Sequence, residues 1–318
     1  MSRLLDVAIE RWPVAGSFTI ARGAKTHVDV VVVTLEEDGV TGRGEATPIY
    51  YHGETAESVA AQLRSSGGEV TALPRGAARN ALDSACLDLA ARQVGRPVWA
   101  MLGLPPPTPL TTAYTISLGA PEQMRADAAR VADRYPLLKL KLAGEGDIAR
   151  VAAVRAGAPA ARLIVDANEA WTERDVAAEA AALLPYGVEL IEQPVRAGAD
   201  DLLDGVRAPI ALCADESCQD RADLARCVRR YQAINIKLDK AGGLTEALAL
   251  AAAARAAGLE LMVGCMLSTS LGIAPAMLVA QGARWVDLDG PLLLARDREP
   301  PIRFEGATML PGAPGLWG

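Results

Sequence analysis

This 318-residue chain has few histidines and no closely spaced pair of cysteines, and each of these shortages argues against a class of chemistry. Only two histidines are present, His27 and His52, so a histidine cluster is not expected to carry catalysis. The five cysteines are scattered without a C-x-x-C pair, which argues against a disulfide framework or a structural zinc site and favours reduced thiols. Lysines and carboxylates therefore have to carry whatever chemistry occurs.

Basic tracts and long apolar runs are also missing, and this limits the kinds of partner. The formal net charge is −7, with acidic and basic residues mixed, so nucleic-acid binding is not expected. No apolar run approaches the roughly 20 residues of a transmembrane helix, and the N-terminus lacks the long apolar region of a signal peptide. With 51% hydrophobic residues, the composition is that of a globular protein with a substantial core. We expect a cytoplasmic protein that binds neither nucleic acid nor membranes.

The first hundred residues mix strand and helix signals. The segment "HVDVVVVTLEEDGVTGRGEATP" predicts two strands joined at Asp38-Gly39, a hairpin turn. "RGAARNALDSACLDLAARQVG" has apolar residues at helical spacing and ends at a glycine, as helices commonly do. The proline-rich "LGLPPPTPL" is typical of a connection between domains. We therefore expect an α+β capping domain over residues 1–107.

Beyond the proline-rich segment, short apolar strand candidates alternate with alanine-rich helical stretches such as "TEALALAAAARAAG". The eight strand candidates are "TAYTISL", "LLKLKLA", "RLIVDAN", "VELIEQP", "PIALCADE", "AINIKLD", "LELMVGCM" and "RWVDLDG". This alternation predicts an α/β fold, a modified (β/α)8 TIM-type barrel with the α+β N-terminal domain as its cap. We place the barrel at residues 108–294 and expect a C-terminal tail, residues 295–318, that returns to the capping domain.

Polar residues recur near the strand ends at intervals of about one βα unit, and barrel enzymes hold their active sites at those ends. The residues are Thr115, Lys139, Asp166, Glu192, Asp215, Lys237 and Asp287. Asp166, Glu192 and Asp215 end three consecutive strands, where three acids would repel each other unless a cation joined them. Oxygen ligands without sulfur or imidazole suit Mg²⁺, with Mn²⁺ as the alternative. The competing interpretation is that each acid caps a helix or pairs with an arginine.

Two lysines lie inside the strand of "PLLKLKLAGEGD". Lys139 and Lys141 point to the same side of that strand because they are two residues apart. Lys237 lies on the strand after the three acids, so a bound substrate would meet an amine on each face. Desolvation and neighbouring cations lower a lysine pKa and make it usable as a base. A cation with one base on each face suits removal and return of a proton α to a carboxylate. Alternatively, the lysines pair with the acids for stability.

The order K-x-K, D, E, D, K on barrel strands resembles the enolase superfamily, specifically its muconate-lactonizing-like subgroup, with the closest likeness to L-Ala-D/L-Glu dipeptide epimerases. The likeness spans essentially the whole chain, from "FTIARGAKT" and "GRGEATPIYYHGET" through "LLKLKL", "LIVDANEAW", "EQP", "ADESC" and "NIKLDKAGGLTEALALA" to "GCMLSTS" and "DLDGP". It implies Mg²⁺-dependent 1,1-proton transfer through an enediolate, which epimerises a dipeptide at its C-terminal residue, in cytosolic recycling of murein peptides.

The resemblance also implies a role for each residue that matches the family's pattern. It implies metal ligation by Asp166, Glu192 and Asp215, and acid/base catalysis by Lys141 and Lys237 with Lys139 as an auxiliary. Asp287 and Asp289 would receive the substrate's α-ammonium, and Arg22, in a mobile lid, would bind an acidic substrate side chain through two parallel hydrogen bonds. Residues that match pocket-lining positions are Thr115, Cys265 and Met266. Taken alone, D-x-D is a common turn, and an arginine in an N-terminal loop is usually solvated.

Several alternatives stay open at this point. The same scaffold serves o-succinylbenzoate synthesis and cycloisomerisation, whose substrates carry no α-ammonium, and it serves epimerisation of other dipeptides. A lyase that forms a Schiff base on a lysine would need no metal. A small-molecule binding protein would not need a base on each face. The oligomeric state is open as well, with a homo-oligomer among the options.

Overall fold

The structure, a computed structural model, describes residues 3–312 and 315–318. Its N-terminal part begins with an antiparallel sheet in the order β1-β2-β3, formed by β1 (Leu4–Ile20), β2 (Gly23–Glu37) and β3 (Val40–Ala46). The helices α1 (Ala56–Ser65), α2 (Ala77–Val94) and α3 (Val98–Met101) follow. The predicted hairpin is confirmed, because Asp38 and Gly39 connect β2 to β3 with positive φ angles of 52° and 77°.

Strand β2 is apolar on both faces because both faces are covered. Val30 and Val32 belong to the large cluster that includes the barrel, whereas Val31, Val33 and Leu35 pack with α1 and α2 in a second cluster. Alternate residues of a strand point to opposite sides. The uninterrupted "VVVV" is therefore explained by a sheet that lies between the barrel and its own two helices.

Helix α2 lies directly against β3, and two glycines allow this approach. A Cβ at Gly42 would lie 2.3 Å from the backbone nitrogen of Leu89, and one at Gly44 would lie 2.1 Å from the carbonyl oxygen of Ala81. The helix ends, as predicted, at Gly95, which takes the left-handed conformation with φ of 63°.

The chain then forms the two-residue strand β4 (Leu110–Thr111) and eight parallel strands in sequential order. These are β5 (Tyr114–Ile116), β6 (Leu137–Lys141), β7 (Arg162–Asp166), β8 (Val188–Glu192), β9 (Ala211–Ala214), β10 (Ala233–Ile236), β11 (Glu260–Gly264) and β12 (Trp285–Asp287). The backbone nitrogen of Ala113 donates to the carbonyl oxygen of Val286 at 2.7 Å and so links the first strand to the last. The predicted barrel fold with an N-terminal antiparallel sheet domain is confirmed.

Helices connect most of the barrel strands. They are α4 (Pro121–Val131), α5 (Asp147–Gly157), α6 (Val176–Leu183), α7 (Leu224–Cys227), α8 (Leu238–Ala241), α9 (Leu244–Ala256), α10 (Ser270–Ile273) and α11 (Ala276–Val279). The predicted regular alternation is wrong after β8, where the connection contains only the 3₁₀ turn Asp200–Leu203. Gly198, Gly205 and Pro209 interrupt this connection and disfavour a longer helix.

Two layers of inward-facing side chains fill the barrel. The lower one, here called the floor layer, is an apolar cluster with one residue from each strand or its start: Ala113, Leu137, Ile164, Leu190, Cys213, Ala233, Met262 and Trp285. The residues two positions further along each strand form a second layer, here called the polar layer. They are Thr115, Lys139, Asp166, Glu192, Asp215, Asn235, Gly264 and Asp287. Because residues two apart share a face, the polar layer lies directly above the floor layer, towards the C-terminal ends of the strands.

The C-terminal segment packs against both parts of the molecule. Strands β13 (Arg303–Glu305) and β14 (Thr308–Leu310) form a small antiparallel sheet with β4. Beyond it, Trp317 Nε1 donates to the carbonyl oxygen of Ser84, and the backbone nitrogen of Gly318 donates to Asp88 Oδ1, both on α2. The domain boundaries at 107 and 294 stay predictions. Among the described residues, no helix has the length and apolar character needed to cross a membrane.

Candidate active site

Three buried carboxylates meet at the C-terminal ends of neighbouring strands β7, β8 and β9, and one lysine lies among them. Lys139 Nζ lies 2.6 Å from Glu192 Oε2, 2.8 Å from Asp287 Oδ2 and 3.5 Å from Asp166 Oδ2. Asp215 completes the set at the end of β9. The structure thus brings together the three predicted metal ligands and Lys139, while their roles stay predictions.

The other two predicted catalytic lysines flank this cluster. Lys141 Nζ lies 2.7 Å from Asp166 Oδ2, and Lys237 Nζ lies 2.6 Å from Asp215 Oδ2. Lys141 ends β6 and Lys237 follows β10, so the strands that carry the lysines enclose the three strands that carry the acids. An amine is therefore available on each side of the carboxylates.

The sequence argument expected a lowered pKa for a lysine that acts as a base; the structure corrects this for Lys237, and the pKa of the auxiliary Lys139 is raised as well. Burial by itself lowers the pKa of Lys139, but the carboxylates of Asp287 and Glu192 offset it and raise this pKa well above its ordinary value. Burial also lowers the pKa of Lys237, and there Asp215 more than compensates, so the net shift is again upward. Both ammonium groups are held by acids.

The carboxylates themselves divide into two kinds. Burial raises the pKa of Asp215, but Lys237 and Lys240 outweigh it and hold this pKa well below its ordinary value. Glu192 behaves in the opposite way, since burial and the neighbouring charge of Asp166 raise its pKa to about 7. Asp215 is therefore firmly ionised, whereas Glu192 takes up a proton near neutrality.

The acids fit a hard divalent cation by their chemistry. As the side chains stand, no three acidic, histidine or cysteine groups in residues 3–312 and 315–318 are arranged to hold a metal ion, because the acids are turned towards lysine ammonium groups. Glu192 Oε2 and Asp215 Oδ1 are buried and are contacted by the ammonium groups of Lys139 and Lys240, at 2.6 and 2.7 Å. Oxygen atoms of this kind are the ligands that Mg²⁺ prefers. The donor set therefore suits Mg²⁺.

A cavity of ≈ 170 Å³ opens above the cluster, between the barrel and the first two strands. Its lining includes Phe18, Arg22, Lys25, Tyr50, Tyr51, Lys141, Asp215, Glu216, Lys237, Cys265 and Met266. A smaller space of ≈ 30 Å³ shares both catalytic lysine candidates and adds Thr115, Lys139, Asp287 and Asp289. All the predicted substrate-binding residues border one space or the other, and Asp166 and Glu192 lie beneath.

Asp287 and Asp289 share the smaller space, although only Asp287 lies on a strand. Strand β12 ends at Asp287, and Asp289 precedes the 3₁₀ turn Gly290–Leu293, so strand alternation does not relate the two. Asp289 Oδ2 accepts a hydrogen bond from the backbone nitrogen of Thr115 at 2.6 Å. Burial and the charge of Asp287 raise the pKa of Asp289 to about 7. Asp287 Oδ1 is buried and accepts no hydrogen bond from the described residues.

Arg22 lies between β1 and β2, and protein groups already bind its guanidinium. Nη1 lies 2.9 Å from Glu216 Oε1 and donates to Tyr50 Oη at 3.1 Å, while Nη2 forms an ion pair with Glu169. Arg22 is thus an exposed residue whose guanidinium is nevertheless paired with protein groups. Binding of a substrate carboxylate by Arg22 stays a prediction.

Comparison with known proteins identifies the fold family. Residues 123–316 match the family described as "Enolase C-terminal domain-like", and residues 3–103 match "Mandelate racemase / muconate lactonizing enzyme, N-terminal domain". The chain belongs to the enolase superfamily. Two relatives of this superfamily protein are the L-Ala-D/L-Glu epimerase of Escherichia coli (44% identical, covering 95% of this chain and 98% of that one) and the N-acetyl-D-glutamate racemase of a Pseudoalteromonas species (40% identical, covering 91% and 95%).

Solved structures agree with this placement. One is an enolase family member from Agrobacterium tumefaciens that has homology to dipeptide epimerases and contains bound sodium and L-Ala-L-Glu. It is 48% identical to this chain, and the match has a TM-score of 0.95 and covers 99% of this chain and 100% of that one. Other matching structures of dipeptide epimerases contain Mg and a dipeptide. Epimerases and racemases are isomerases, and this superfamily member is an isomerase of that class.

The structure adds site residues that sequence reasoning missed. Asn235 Nδ2 donates to Glu192 Oε1 at 2.7 Å, and Asn235 could have been found because it follows its floor-layer residue by two positions, as the acids do. Lys240 Nζ lies 2.7 Å from Asp215 Oδ1 and donates to the carbonyl oxygens of Cys218 and Asn235, both at 2.9 Å. Lys240 lies on the first turn of α8, where strand spacing carries no signal.

Proposed function

We propose that this protein epimerises dipeptides of the L-Ala-D/L-Glu type at the Cα of the C-terminal residue. The observation that carries the proposal is that Lys141 and Lys237 line the same cavity from strands on either side of the carboxylates. One amine removes the Cα proton and the other returns a proton to the opposite face, which inverts the centre. The names of the E. coli relative and the dipeptide in the Agrobacterium structure support this substrate class. We further propose a cytoplasmic role in murein peptide recycling.

Asp166, Glu192 and Asp215 would hold the Mg²⁺ ion, which when bound supplies positive charge beside the substrate carboxylate and so favours loss of the Cα proton. Lys139 remains an ammonium because the carboxylates around it raise its pKa, and it contributes a fixed positive charge rather than a base. Lys237 becomes a base only when it leaves Asp215, the same carboxylate that is proposed as a ligand. Lys141 likewise contacts a proposed ligand, Asp166, at 2.7 Å.

The α-ammonium of the dipeptide would bind at Asp287 and Asp289. Asp287 offers a buried oxygen that no described residue satisfies, and a buried acceptor without a donor costs about 1–3 kcal/mol. An ammonium donates up to three hydrogen bonds and compensates the negative charge as well. The free amino group of a dipeptide therefore suits this end of the cavity.

A second candidate is racemisation of an N-acylated glutamate, favoured by the Pseudoalteromonas relative named N-acetyl-D-glutamate racemase. The same two lysines would serve that reaction. An acylated nitrogen carries no positive charge, however, and would offer no ammonium to Asp287 Oδ1, which lacks a donor although Lys139 pairs with Oδ2 at 2.8 Å. O-succinylbenzoate synthesis and cycloisomerisation, whose substrates also carry no ammonium, share this weakness.

The test is exchange of the Cα proton in D₂O, followed by proton NMR, with Mg²⁺ and either L-Ala-L-Glu or N-acetyl-L-glutamate. We expect loss of the glutamyl Cα–H signal and appearance of the diastereomer with the dipeptide, both abolished by EDTA. Faster exchange of N-acetyl-L-glutamate would favour the second candidate instead. No exchange with either compound, or with a mixed dipeptide library, would contradict the proposed epimerase.

Asp289→Asn distinguishes the two substrate classes. The amide keeps an oxygen for the Thr115 N–H but removes the charge offered to the α-ammonium. We expect kcat/KM for L-Ala-L-Glu to fall by about 10- to 100-fold, as for loss of a hydrogen bond between charged groups, with a much smaller effect on any turnover of N-acetyl-L-glutamate. Asp201→Asn, at an exposed position that lines neither space of the site, is the matched control. Equal losses on both compounds would contradict an ammonium site.

A further inference from the structure

We propose that Gln193 is a positioning residue that fixes the spacing of the proposed metal ligands and so makes the site prefer Mg²⁺ to the larger Ca²⁺. The inference rests on the proposed metal site and goes beyond it, because Gln193 is not one of the ligands. It follows Glu192 directly at the end of β8 and is fully buried. It lines neither space of the site, so any effect on the reaction has to act through the residues that it holds.

The main chain of Gln193 is bonded to the strand ends on both sides of it. Its N–H donates to the carbonyl oxygen of Cys213, on β9, and its own carbonyl oxygen accepts from the N–H of Glu169, in the loop after β7; both distances are 2.8 Å. Strand β7 ends at Asp166, and Asp215 directly follows β9. Gln193 therefore lies between the two strand ends that carry the other proposed ligands.

The side chain of Gln193 strengthens the connection to the loop after β9. Its Oε1 accepts hydrogen bonds from the backbone N–H groups of Asp215 and Ser217, at 2.8 and 3.1 Å. Its Nε2 donates to the carbonyl oxygen of Val195 at 2.7 Å, to Ser217 Oγ at 2.8 Å and to Tyr231 Oη at 3.3 Å. A carboxamide both accepts and donates, and here both of its polar atoms are used. One buried side chain thus fixes where the main chain of Asp215 lies relative to the end of β8.

Unusual backbone conformations are concentrated at the same strand ends. In the described part of the chain, the residues other than glycine with a positive φ are Asp38 (52°), Asn168 (44°), Glu169 (69°) and Gln193 (37°). The first belongs to the turn between β2 and β3, whereas the other three follow a proposed ligand by one to three positions. Such conformations persist where surrounding contacts hold them, and they are frequent at functional sites. The hydrogen bonds of Gln193 are contacts of this kind.

The chemical consequence concerns which cation the site accepts. Mg²⁺ demands near-ideal octahedral geometry with oxygen ligands at about 2.0–2.1 Å, whereas Ca²⁺ accepts irregular geometry at about 2.3–2.6 Å. Ligands whose strand ends are held at a fixed spacing favour the smaller ion, and ligands that can move apart tolerate the larger one. Removal of the Gln193 carboxamide should therefore weaken Mg²⁺ binding more than Ca²⁺ binding.

The test measures the Kd of Mg²⁺ and the Kd of Ca²⁺ by calorimetry for the wild type, Gln193→Met and Gln123→Met. Methionine is similar to glutamine in length and flexibility but donates no hydrogen bond. We expect Gln193→Met to raise the Kd of Mg²⁺ by about 10- to 100-fold, as for loss of a contact that orients a ligand, and the Kd of Ca²⁺ by much less. Gln123→Met, at an exposed position on α4, is the matched control and should leave both values unchanged.

Ser217→Ala keeps the inference testable if Gln193→Met does not fold. It removes one acceptor of Gln193 Nε2 and leaves the contacts to Val195 and Tyr231 in place. The carboxamide is then held less firmly, and we expect the Kd of Mg²⁺ to rise more than the Kd of Ca²⁺, by a smaller factor than in Gln193→Met. An unchanged ratio of the two Kd values in Ser217→Ala would then overturn the inference.

Equal increases of both Kd values in folded Gln193→Met, or no increase, would overturn the inference, because a general loss of structure does not discriminate between the two ions. A wild type that binds Ca²⁺ as tightly as Mg²⁺ would overturn it too. The proposed function fails separately if the wild type exchanges no dipeptide proton while Gln193→Met still shows the change in selectivity, a result that supports the role of Gln193. A wild type that binds neither ion would contradict both the proposed metal site and the inference.

Discussion

The orientation of Glu192 depends on two residues that carry no charge. Asn235 Nδ2 donates to Glu192 Oε1 at 2.7 Å, which leaves Oε2 directed at the lysine and at the proposed metal position. The adjacent strand has Gly264 at the same level, and a Cβ there would lie 2.8 Å from both polar atoms of the Asn235 side chain. The polar layer contains a glycine because the neighbouring amide occupies its space.

Gly264→Ala should therefore weaken metal binding without preventing folding. The added methyl group displaces the Asn235 amide and leaves Glu192 without its hydrogen bond. Loss of such an outer contact lowers metal affinity by about 10- to 100-fold, and we expect the Mg²⁺ Kd measured by calorimetry to rise by that factor. Gly119→Ala, where the nearest atom to an added Cβ is 3.7 Å away, is the matched control. An unchanged Kd in Gly264→Ala would contradict the role of Asn235.

At this scale the sequence predicted which acids and lysines meet, because strand periodicity and βα spacing together place them at one end of the barrel. It did not predict their protonation. The pKa values of Lys139 and Lys237 rise rather than fall, since the distances to Glu192 and Asp215 decide the sign. Residue spacing does not contain these distances.

Two buried acids attach the N-terminal elements to loops of the barrel. Asp239, on α8, accepts hydrogen bonds at Oδ1 from the backbone nitrogen of Thr47 and from Asn80 Nδ2, at 3.1 and 2.9 Å. Glu45, on β3, accepts from the backbone nitrogen of Thr269 at 2.8 Å and from Arg298 Nη2 at 2.6 Å. The cap is thus held to the barrel by polar contacts that are excluded from water.

Asp239→Asn should stabilise the protein above neutral pH. Burial raises the pKa of Asp239 to about 7, although the hydrogen bond from Asn80 opposes the shift. The unfolded chain loses this proton at about pH 4, so folding stability falls between about pH 4 and pH 7 and the cost persists above that range. Asparagine keeps the acceptor oxygen and removes the charge.

We expect the free energy of unfolding of Asp239→Asn, measured with urea, to exceed that of the wild type by about 1–3 kcal/mol near pH 8, in keeping with the cost of an uncompensated buried group. The difference should shrink towards pH 4. Asp201→Asn, at an exposed position, should show no such pH dependence. Destabilisation of Asp239→Asn at every pH would show that the second carboxylate oxygen is required.

Elements that are specified locally were predictable, and those that depend on distant partners were not. The Asp38-Gly39 turn and the end of α2 at Gly95 follow from the conformations those residues favour. Strand β1 was not predicted, because Pro13 lies within it and its pairing with β2 supplies most of its hydrogen bonds. The missing helix after β8 reflects glycines and a proline whose effect was hidden by the regular pattern around them.

Metal binding to the whole molecule should be linked to pH. Glu192 has a pKa of about 7, raised first by burial and then by Asp166. At about pH 6 a proton competes with Mg²⁺ for this carboxylate, whereas at about pH 8 the carboxylate is ionised. We expect saturating Mg²⁺ to raise Tm clearly more at the higher pH. Asp166→Asn should abolish the increase at both, and an equal increase at both pH values would contradict Glu192 as a ligand.

The overall architecture and the superfamily were predictable from the order of the motifs, since eight spaced strands leave few alternatives. The assembly of the cavity was not. Arg22 comes from the turn between β1 and β2, and the two carboxylates that bind it, Glu169 and Glu216, come from the barrel. Contacts between residues that are 147 and 194 positions apart in the chain require the packed molecule.

Substitutions in the floor layer and in the polar layer have different consequences for the evolution of this protein. A substitution in the floor layer, such as at Ile164 or Leu190, removes packing that every strand shares, and selection for a folded protein opposes it. A substitution two residues later, at Asp166 or Glu192, alters a reaction while the apolar layer beneath remains intact. A descendant of this protein could therefore acquire new chemistry by changes confined to one level of the interior, without losing the scaffold that presents it.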